Sequence, residues 1–416
     1  MLAMIKSRNW PGLFGYFLFL GMMSAGYYYS LTFVQLGLED FGSRRLGLRS
    51  EVVARDMSML ALLTCFIAIG FGLWMQKHGW GRRFILKLRM SFWVVLVQTL
   101  LTLALPWIGN EAGFLFWLAG VSATLGIGIP VMFSMTVDLI PVRMRGSAAA
   151  LVTAGAYFAA ETFSSEWTFE SFRAQSLVIL VFGTIAVGLF SFVPHPWLGL
   201  LARQHNGPEY RRGRFVHENG MERRLVALII IMFAIYFVDS LGFMRLLKTP
   251  LYMATAWQSP DIDVRLFIAG THGVGALAAG ILYSNLRERP LFLWVFGIFA
   301  LTHLQYSFHI HIEAANPTLS MPMLYALAVS IYTVINFAVW ADISTPDTIC
   351  LNSALGVALS GWTATFVSTG LALHWSRNIS LERHIQIVDS LAVIFFLAIG
   401  LILYFQPPLQ RAKAVR

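Results

Sequence analysis

RQHNGPEYRRGRFVHENGMERR, residues 203–224, is the one long polar stretch in a chain that otherwise passes from one apolar segment to the next. It contains six Arg and three Glu together with Gly and Pro, and it lies near the middle of the 416 residues. The apolar segments on either side of it are long enough to cross a bilayer, and basic loops are typical of the cytoplasmic side. We therefore interpret residues 203–224 as a cytoplasmic linker between two membrane-embedded halves, residues 1–202 and 225–416.

The composition excludes a soluble domain of this size. Hydrophobic residues make up 57% of the chain and charged residues only 12%, with a mean hydropathy of +0.67. The alternating pattern of a membrane β-barrel is absent from the sequence. The net charge of +9 is accounted for by basic loops at a membrane, so we expect no nucleic-acid partner. The predicted fold class is an all-α polytopic membrane protein.

Twelve apolar segments are long enough to span a bilayer, six before the linker and six after it. We predict spans at 11–34, 53–76, 87–108, 113–138, 145–166, 174–201, 225–247, 264–284, 290–310, 320–341, 350–374 and 387–406. Six plus six around a polar connection is the arrangement of transporters built from two repeated halves.

The distribution of Lys and Arg predicts the topology. Twenty of them fall in the linker, the tails and the loops on its side, and nine fall in loops on the other side. This bias places both termini and the linker in the cytoplasm, in a multi-pass protein of the cytoplasmic (inner) membrane. The exception is the segment 37–56, predicted as an outer loop although it carries four Arg.

Two loops carry matching acidic motifs. The sequence DLIPVRMRG, residues 138–146, places Asp138 at the end of the fourth span and Arg145 at the start of the fifth. An acid at a helix C-terminus is disfavoured by the helix dipole, so we expect a basic partner for Asp138, such as Arg145 or Arg82. WADISTP, residues 340–346, places Asp342 at the corresponding position after the tenth span.

The loop after the second span reads GLWMQKHGWGRR, residues 72–83, and ends in Gly81, Arg82 and Arg83. This ending and the acid–x–x–Pro–x–x–x–Arg–Gly pattern of residues 138–146 resemble loops of the major facilitator superfamily. The resemblance implies twelve helices in two six-helix halves and a charge latch on the cytoplasmic side. Candidate latch residues are Asp138, Arg145, Arg82, Arg83 and Asp342.

The sequence departs from the superfamily at several places. His78 stands where the loop signature has Asp, so either the latch is absent or Asp138 takes that role. The alternative is that these basic residues only anchor the loops on the cytoplasmic side. The fourth span lacks an Arg and the fifth lacks a Gly-Pro pair, which disfavours an ordinary multidrug antiporter.

Ionisable residues within spans are costly in hydrocarbon and are usually retained for function. Asp239 in span seven, His272 in span eight and Glu161 in span five fall at similar depths and, by the resemblance, on helices beside the central cavity. We hypothesise that Asp239 and His272, with Glu161 as a possible third member, form a protonation or substrate site with Arg245 near its outer mouth. The alternative is a set of hydrogen-bonded pairs that only fixes helix packing.

Other polar residues carry less weight. Asn336 and Tyr28, with its neighbour Tyr27, could donate hydrogen bonds to a solute, although bonds between helices are the more common role. The end of span nine holds several side chains that could bind a metal, but we expect a solvated helix end rather than a metal site. These are His303, Gln305, His309, His311 and Glu313.

The sequence indicates a secondary transporter of a small organic solute, with no cofactor, no catalytic residues and no enzyme activity. No phosphate-binding glycine loop precedes a Lys-Ser/Thr pair, so ATP drive is not expected. Arg245, His272 and Arg265 favour an anionic or zwitterionic solute, such as a metabolite or a siderophore-like compound, with proton coupling. One alternative is a proton-driven exporter of hydrophobic compounds or lipids, with a wide apolar cavity and Asp239 as its important charge. Another is a non-transporting scaffold or sensor, with no polar cavity. We expect a monomer that contacts membrane lipids.

Overall fold

The structure is a computed structural model that describes residues 8–163, 167–216, 221–247, 249–285, 288–312 and 316–405. These residues contain twelve long helices, numbered here α1–α12, and no strand. Their bounds are Trp10–Arg45, Ser50–Lys77, Phe84–Ala104, Glu111–Leu139, Arg145–Phe163, Phe169–Phe192, Met221–Leu247, Ile262–Asn285, Glu288–His311, Ser320–Asp342, Ile349–Ser376 and Leu381–Phe405.

Eleven of the helices in these described residues are long and apolar enough to cross a membrane. The remaining helix is α5, which is 19 residues long and rich in Ala and Gly. Its small side chains make it less apolar than its neighbours. The protein is therefore a multi-pass helical membrane protein, and the predicted count of twelve spans exceeds the eleven apolar helices by α5.

The composition of α5 has a packing reason, because α5 lies directly against α8. A Cβ added at Gly280 would lie 2.6 Å from Cβ of Ala150 and 2.8 Å from the carbonyl oxygen of Gly146. Small residues are the usual means by which two membrane helices bring their backbones together. The Arg-Gly pair that opens α5 thus combines a charge with a close helix contact.

A second close contact joins α2 to α11. A Cβ at Gly72 would lie 2.6 Å from Cβ of Ala354 and 3.0 Å from the carbonyl oxygen of Cys350. The α5–α8 and α2–α11 contacts join the first six long helices to the last six. The interior between them holds the cavities described below.

The first helix is longer than predicted. It continues past residue 34 to Arg45 through two π-helical stretches, Tyr29–Gly37 and Phe41–Arg45, and α2 begins at Ser50. The prediction of a loop over 37–56 is therefore wrong. The helix continues because Val34, Leu38 and Phe41 are fully buried along one side of it.

The sixth span also ends earlier than predicted, at Phe192 instead of residue 201. Two prolines, Pro194 and Pro196, follow, and a proline cannot continue the hydrogen-bond ladder of a helix. A separate short helix, Pro196–Gln204, starts with Pro196 at its first position.

The part of the central linker that the structure describes is packed against the helix bundle. After a one-turn helix, Pro208–Arg211, the amide of Gly213 donates to the carbonyl of Ser344 at 3.1 Å and that of Phe215 donates to the carbonyl of Asp342 at 2.9 Å. Residues 217–220 lie outside the described residues. We call the end of the molecule where residues 208–216 lie the linker end.

Candidate functional site

Two adjoining cavities lie inside the helix bundle. The smaller has a volume of about 210 Å³ and contains Asp239 and His272 in its wall, so we call it the polar cavity. The larger has a volume of about 530 Å³ and is lined mainly by apolar side chains, so we call it the apolar cavity. Side chains shared by the two walls show that the cavities adjoin: Tyr27, Ser30, Gln35, Tyr236, Trp362 and Thr365.

Asp239 is held in place by two tyrosines of α10. The hydroxyl of Tyr332 donates to Oδ2 of Asp239 at 2.5 Å, and that of Tyr325 donates to Oδ1. The tyrosines are seven residues apart and therefore project from the same face of α10. The Asp239 side chain bridges α7 and α10 while remaining partly exposed to the polar cavity.

Glu161 and His272 form a buried pair between α5 and α8. Nε2 of His272 lies 3.3 Å from Oε1 of Glu161, and its Nδ1 lies 2.8 Å from the hydroxyl of Ser330. The imidazole stacks on the ring of Tyr157 with a centroid distance of 4.1 Å. The Tyr157 hydroxyl lies 2.9 Å from that of Tyr27 on α1. Glu161 is thus connected to the cavity wall through His272, although it does not line the cavity itself.

The structure therefore brings together Asp239 and His272 at one cavity, with Glu161 one layer behind. Arg245, predicted near the outer mouth of this site, lines neither cavity. Its Nη2 lies 3.5 Å from the carbonyl oxygen of Ile379, before α12. Six residues along a helix correspond to 600°, so Arg245 projects about 120° away from Asp239. Arg265 is buried and also lines neither cavity.

The hydrogen-bonding candidates fall in different places. Tyr28 does not line either cavity, because its hydroxyl donates to Oε1 of Gln175 on α6 at 2.8 Å. The neighbouring Tyr27 lines both cavities. Asn336 lines the apolar cavity, and its Oδ1 accepts a hydrogen bond from Nε1 of Trp340 at 2.9 Å.

The histidines of α9 do not form one cluster. His303 is buried against the carbonyl of Phe299, and His309 is buried beside the hydroxyl of Tyr252. The expected solvated helix end is thus wrong for these two residues, whereas Gln305 is partly exposed and His311 is exposed. Within the described ranges no group of metal-binding side chains is found, and Glu313 lies outside them.

Asp138 has a basic partner at the linker end, but a different one from those predicted. Its Oδ2 lies 2.5 Å from Nζ of Lys87, both side chains being fully buried, and its Oδ1 lies 3.2 Å from Nδ1 of His205. Arg145 and Arg82 pair elsewhere. The difference arises because α3 begins beside the end of α4, which puts Lys87 within reach.

Asp342 is the acid that joins the two sets of six helices. Nη1 of Arg145 lies 3.1 Å from its Oδ1, while Nε of Arg214 lies 2.7 Å and the hydroxyl of Tyr283 lies 3.0 Å from its Oδ2. Asp342 and Arg145 are fully buried. Arg214 comes from the linker, so one of the linker's charges has a specific partner and is not accounted for by topology alone.

Arg82 makes a second ion pair across the linker end. Its Nε and Nη2 contact Oδ1 and Oδ2 of Asp347 at 2.6 and 2.5 Å, and these hydrogen bonds raise the pKa of Arg82. Gly81 directly contacts the carbonyl oxygen of Pro346, which leaves no room for a side chain there. Arg83 is exposed at the start of α3. The motif 81–83 therefore packs against the loop that follows α10.

Sequence reasoning missed several of these residues. Tyr325, Tyr332 and Lys87 were not candidates, although each binds an acid that was. The spacing of seven between the tyrosines indicates a shared helix face, but no local pattern shows which acid lies opposite. Arg214 was attributed to topology because no local pattern shows that it faces Asp342.

The fold can be compared with known proteins. No protein-family profile and no curated protein sequence matches the chain. Among solved structures, the proton:xylose symporter XylE bound to 6-bromo-6-deoxy-D-glucose matches with a TM-score of 0.66 and 11% identity, over 95% of this chain and 96% of that one. The human organic anion transporter MFSD10 (TETRAN) matches with a TM-score of 0.59 and 14% identity, over 92% and 97%.

This chain has the fold of the major facilitator superfamily. The fold inferred from the loop motifs is thereby confirmed, and the low identities mark a divergent sequence. At these identities the likeness establishes the fold and carries no information on the substrate.

Proposed function

We propose that the protein is a secondary active transporter of the inner membrane, with both termini in the cytoplasm. It moves a small organic solute by alternating access between its two six-helix halves, 1–202 and 225–416, joined by the linker 203–224. The observation that carries the proposal is Asp239, a carboxylate in the wall of a cavity enclosed by membrane helices. Such a group is costly to keep in hydrocarbon and is typical of substrate or proton pathways.

The linker end supports alternating access. Arg145–Asp342 and Arg82–Asp347 connect the first six helices to the last six, and the linker adds Arg214. In a rocking mechanism these contacts would close one end of the pathway and separate when that end opens. Asp138, which pairs with Lys87 inside the first set of helices, would instead stay with its own half.

Asp239 is also the residue that we propose for proton coupling. Two tyrosine hydroxyls donate to the ionised carboxylate, and rotation of either hydroxyl would make room for a proton. The buried Glu161–His272 pair, joined to the cavity through Tyr157, offers a second place where a proton could reside. Movement of helices α7 and α10 against each other would change the number of donors that Asp239 receives.

The cavity dimensions favour a solute with an apolar part. A volume of about 530 Å³ with a mainly apolar wall lies within the range of sites for organic ligands. This observation favours the alternative in which the protein exports hydrophobic compounds or lipids. A scaffold or sensor without transport remains the alternative of another class, and the cavity with Asp239 in its wall disfavours it.

The test is transport in proteoliposomes with an imposed pH gradient and a pH dye inside. The solute panel contains glucose, p-aminohippurate and tetraethylammonium. We expect one solute class to accumulate with proton movement, and Asp239→Asn to abolish that accumulation. Asp389→Asn is the control, since Asp389 is an acid of α12 that lines neither cavity. Transport by Asp239→Asn at the wild-type rate would contradict the role of Asp239.

A further inference from the structure

The charges of the cavity walls differ from those that the sequence suggested. The acidic residues in the described walls of both cavities are Asp239 and Glu39, and no Lys or Arg belongs to either wall. Arg245 and Arg265, which favoured an anionic solute, point elsewhere. The basic side chain in the described wall of the polar cavity is His272, and its two ring nitrogens lie beside Glu161 and Ser330. An anion entering this cavity would therefore meet Asp239 without a Lys or Arg to offset the repulsion.

The surroundings of Asp239 are aromatic. Tyr325 and Tyr332 hold its carboxylate, and the ring of Tyr236, one helical turn before Asp239 on α7, lies 4.9 Å from that of Tyr332. Tyr27 and Tyr236 are partly exposed and border both cavities. Aromatic faces attract a cation through the ring quadrupole, and a desolvated site strengthens this attraction.

The apolar cavity gives room for a lipophilic body beside this charged group. Glycines on several helices leave space at its wall. On α1, for example, a Cβ at Gly26 would come no closer than 3.5 Å to another residue, and one at Gly21 would have nothing within 4 Å. The polar side chains in this wall, such as Gln98 and Asn336, are neutral. A solute that fits both cavities is therefore charged at one end and apolar at the other.

We propose that the solute bound at this site is a lipophilic organic cation. Its positive group lies against Asp239 among Tyr236, Tyr325 and Tyr332, and its apolar body occupies the apolar cavity. The proposal rests on the proposed transport function for its biological meaning, but the binding that it requires can be measured separately.

Tetraphenylphosphonium and tetraphenylborate form a suitable pair of probes, because they share shape and apolar surface and differ in the sign of their charge. Binding is measured by equilibrium dialysis on the full-length protein in nanodiscs, with empty nanodiscs subtracted. We expect saturable binding of tetraphenylphosphonium that is at least tenfold tighter than that of tetraphenylborate. A tenfold difference corresponds to about 1.4 kcal/mol.

Variants then locate the binding site. Asp239→Asn should weaken tetraphenylphosphonium binding at least tenfold, Asp239→Glu should retain part of it, and Asp389→Asn should leave it unchanged. Tyr236→Leu removes an aromatic face of the site and should bind tetraphenylphosphonium several-fold more weakly than the wild type. Size-exclusion profiles and melting temperatures show that each variant is folded.

The outcomes separate this inference from the proposed function. Tighter binding of tetraphenylborate, or equal binding by wild type and Asp239→Asn, would overturn the cationic class even if the proteoliposomes move another solute. Binding of tetraphenylphosphonium that depends on Asp239, without movement of any solute, would support the cation site and overturn the transport function.

Discussion

Replacing Asp342 by Asn removes the negative charge that several donors contact at the linker end. The carboxylate accepts from Arg145 at 3.1 Å, Arg214 at 2.7 Å and Tyr283 at 3.0 Å. Removing one partner of a buried ion pair typically costs about 3–5 kcal/mol, because the other charge is left buried. Arg145 would still donate to the carbonyl oxygens of Ala341 and Tyr210. We therefore expect the lower end of that range, about 3 kcal/mol.

The protein can relieve this cost by opening at the linker end, which would hydrate Arg145. A bias of about 3 kcal/mol changes an equilibrium constant roughly a hundredfold. Spin labels at Lys77 on α2 and Asn285 on α8, both exposed, would measure the opening by double electron–electron resonance. The buried Cys65 and Cys350 are first replaced by Ala. We expect Asp342→Asn to shift the distance distribution to longer values.

The matched control is Asp347→Asn, which breaks the exposed pair with Arg82. The two side chains are 54% and 53% exposed, and such a pair contributes about 1 kcal/mol or less. Its distance distribution should stay close to that of the wild type. Unchanged distances and an unchanged melting temperature in Asp342→Asn would refute the conclusion that Asp342 holds the linker end together.

Three further predictions concern a close helix contact, a buried ion pair and a hydrogen bond between helices. Gly280→Ala should lower stability by about 1–3 kcal/mol in a thermal melt, because the added methyl group forces α5 and α8 apart. The control Gly270→Ala, whose added Cβ has nothing within 4 Å, should be neutral or stabilising. Equal melting temperatures for the two variants would contradict the close contact. Lys87→Met should cost about 3–5 kcal/mol, because it leaves the buried Asp138 with His205 as its remaining partner at 3.2 Å. Adding Asp138→Leu should recover most of that loss. A double variant no more stable than the single one would count against this ion pair. Tyr28→Phe should lower stability by about 1 kcal/mol, because it removes the hydrogen bond to Gln175. It should leave tetraphenylphosphonium binding unchanged, since Tyr28 does not line either cavity. Weakened binding would show that Tyr28 acts at the site.

Much of the fold could be predicted from hydropathy and loop motifs. Apolar segments long enough to cross a bilayer have few alternatives to helices, because every backbone polar group must be satisfied within the segment. The errors lie where packing overrides composition. The first span was predicted to end at residue 34, yet the apolar side chains of Leu38 and Phe41 are buried on one side of a helix that continues to Arg45.

The candidate site, too, could be predicted from the sequence only in part. Asp239, Glu161 and His272 could be selected from the sequence because ionisable groups in apolar segments stand out. Their partners could not, because Tyr325 and Tyr332 are ordinary residues of an apolar helix until α10 is placed beside α7. The position of Arg245 could have been questioned earlier, because its spacing from Asp239 places it on another helix face.

The sequence by itself determined the membrane class, most of the helices and the acids that require partners, because hydropathy and the cost of a buried charge act on each segment separately. The tertiary structure decided which charges meet. Asp138 pairs with Lys87, Asp342 pairs with Arg145 and the linker's Arg214, and the described cavity walls contain acids and tyrosines without a Lys or Arg. These pairings depend on distances between helices far apart in the chain, and no local pattern records them.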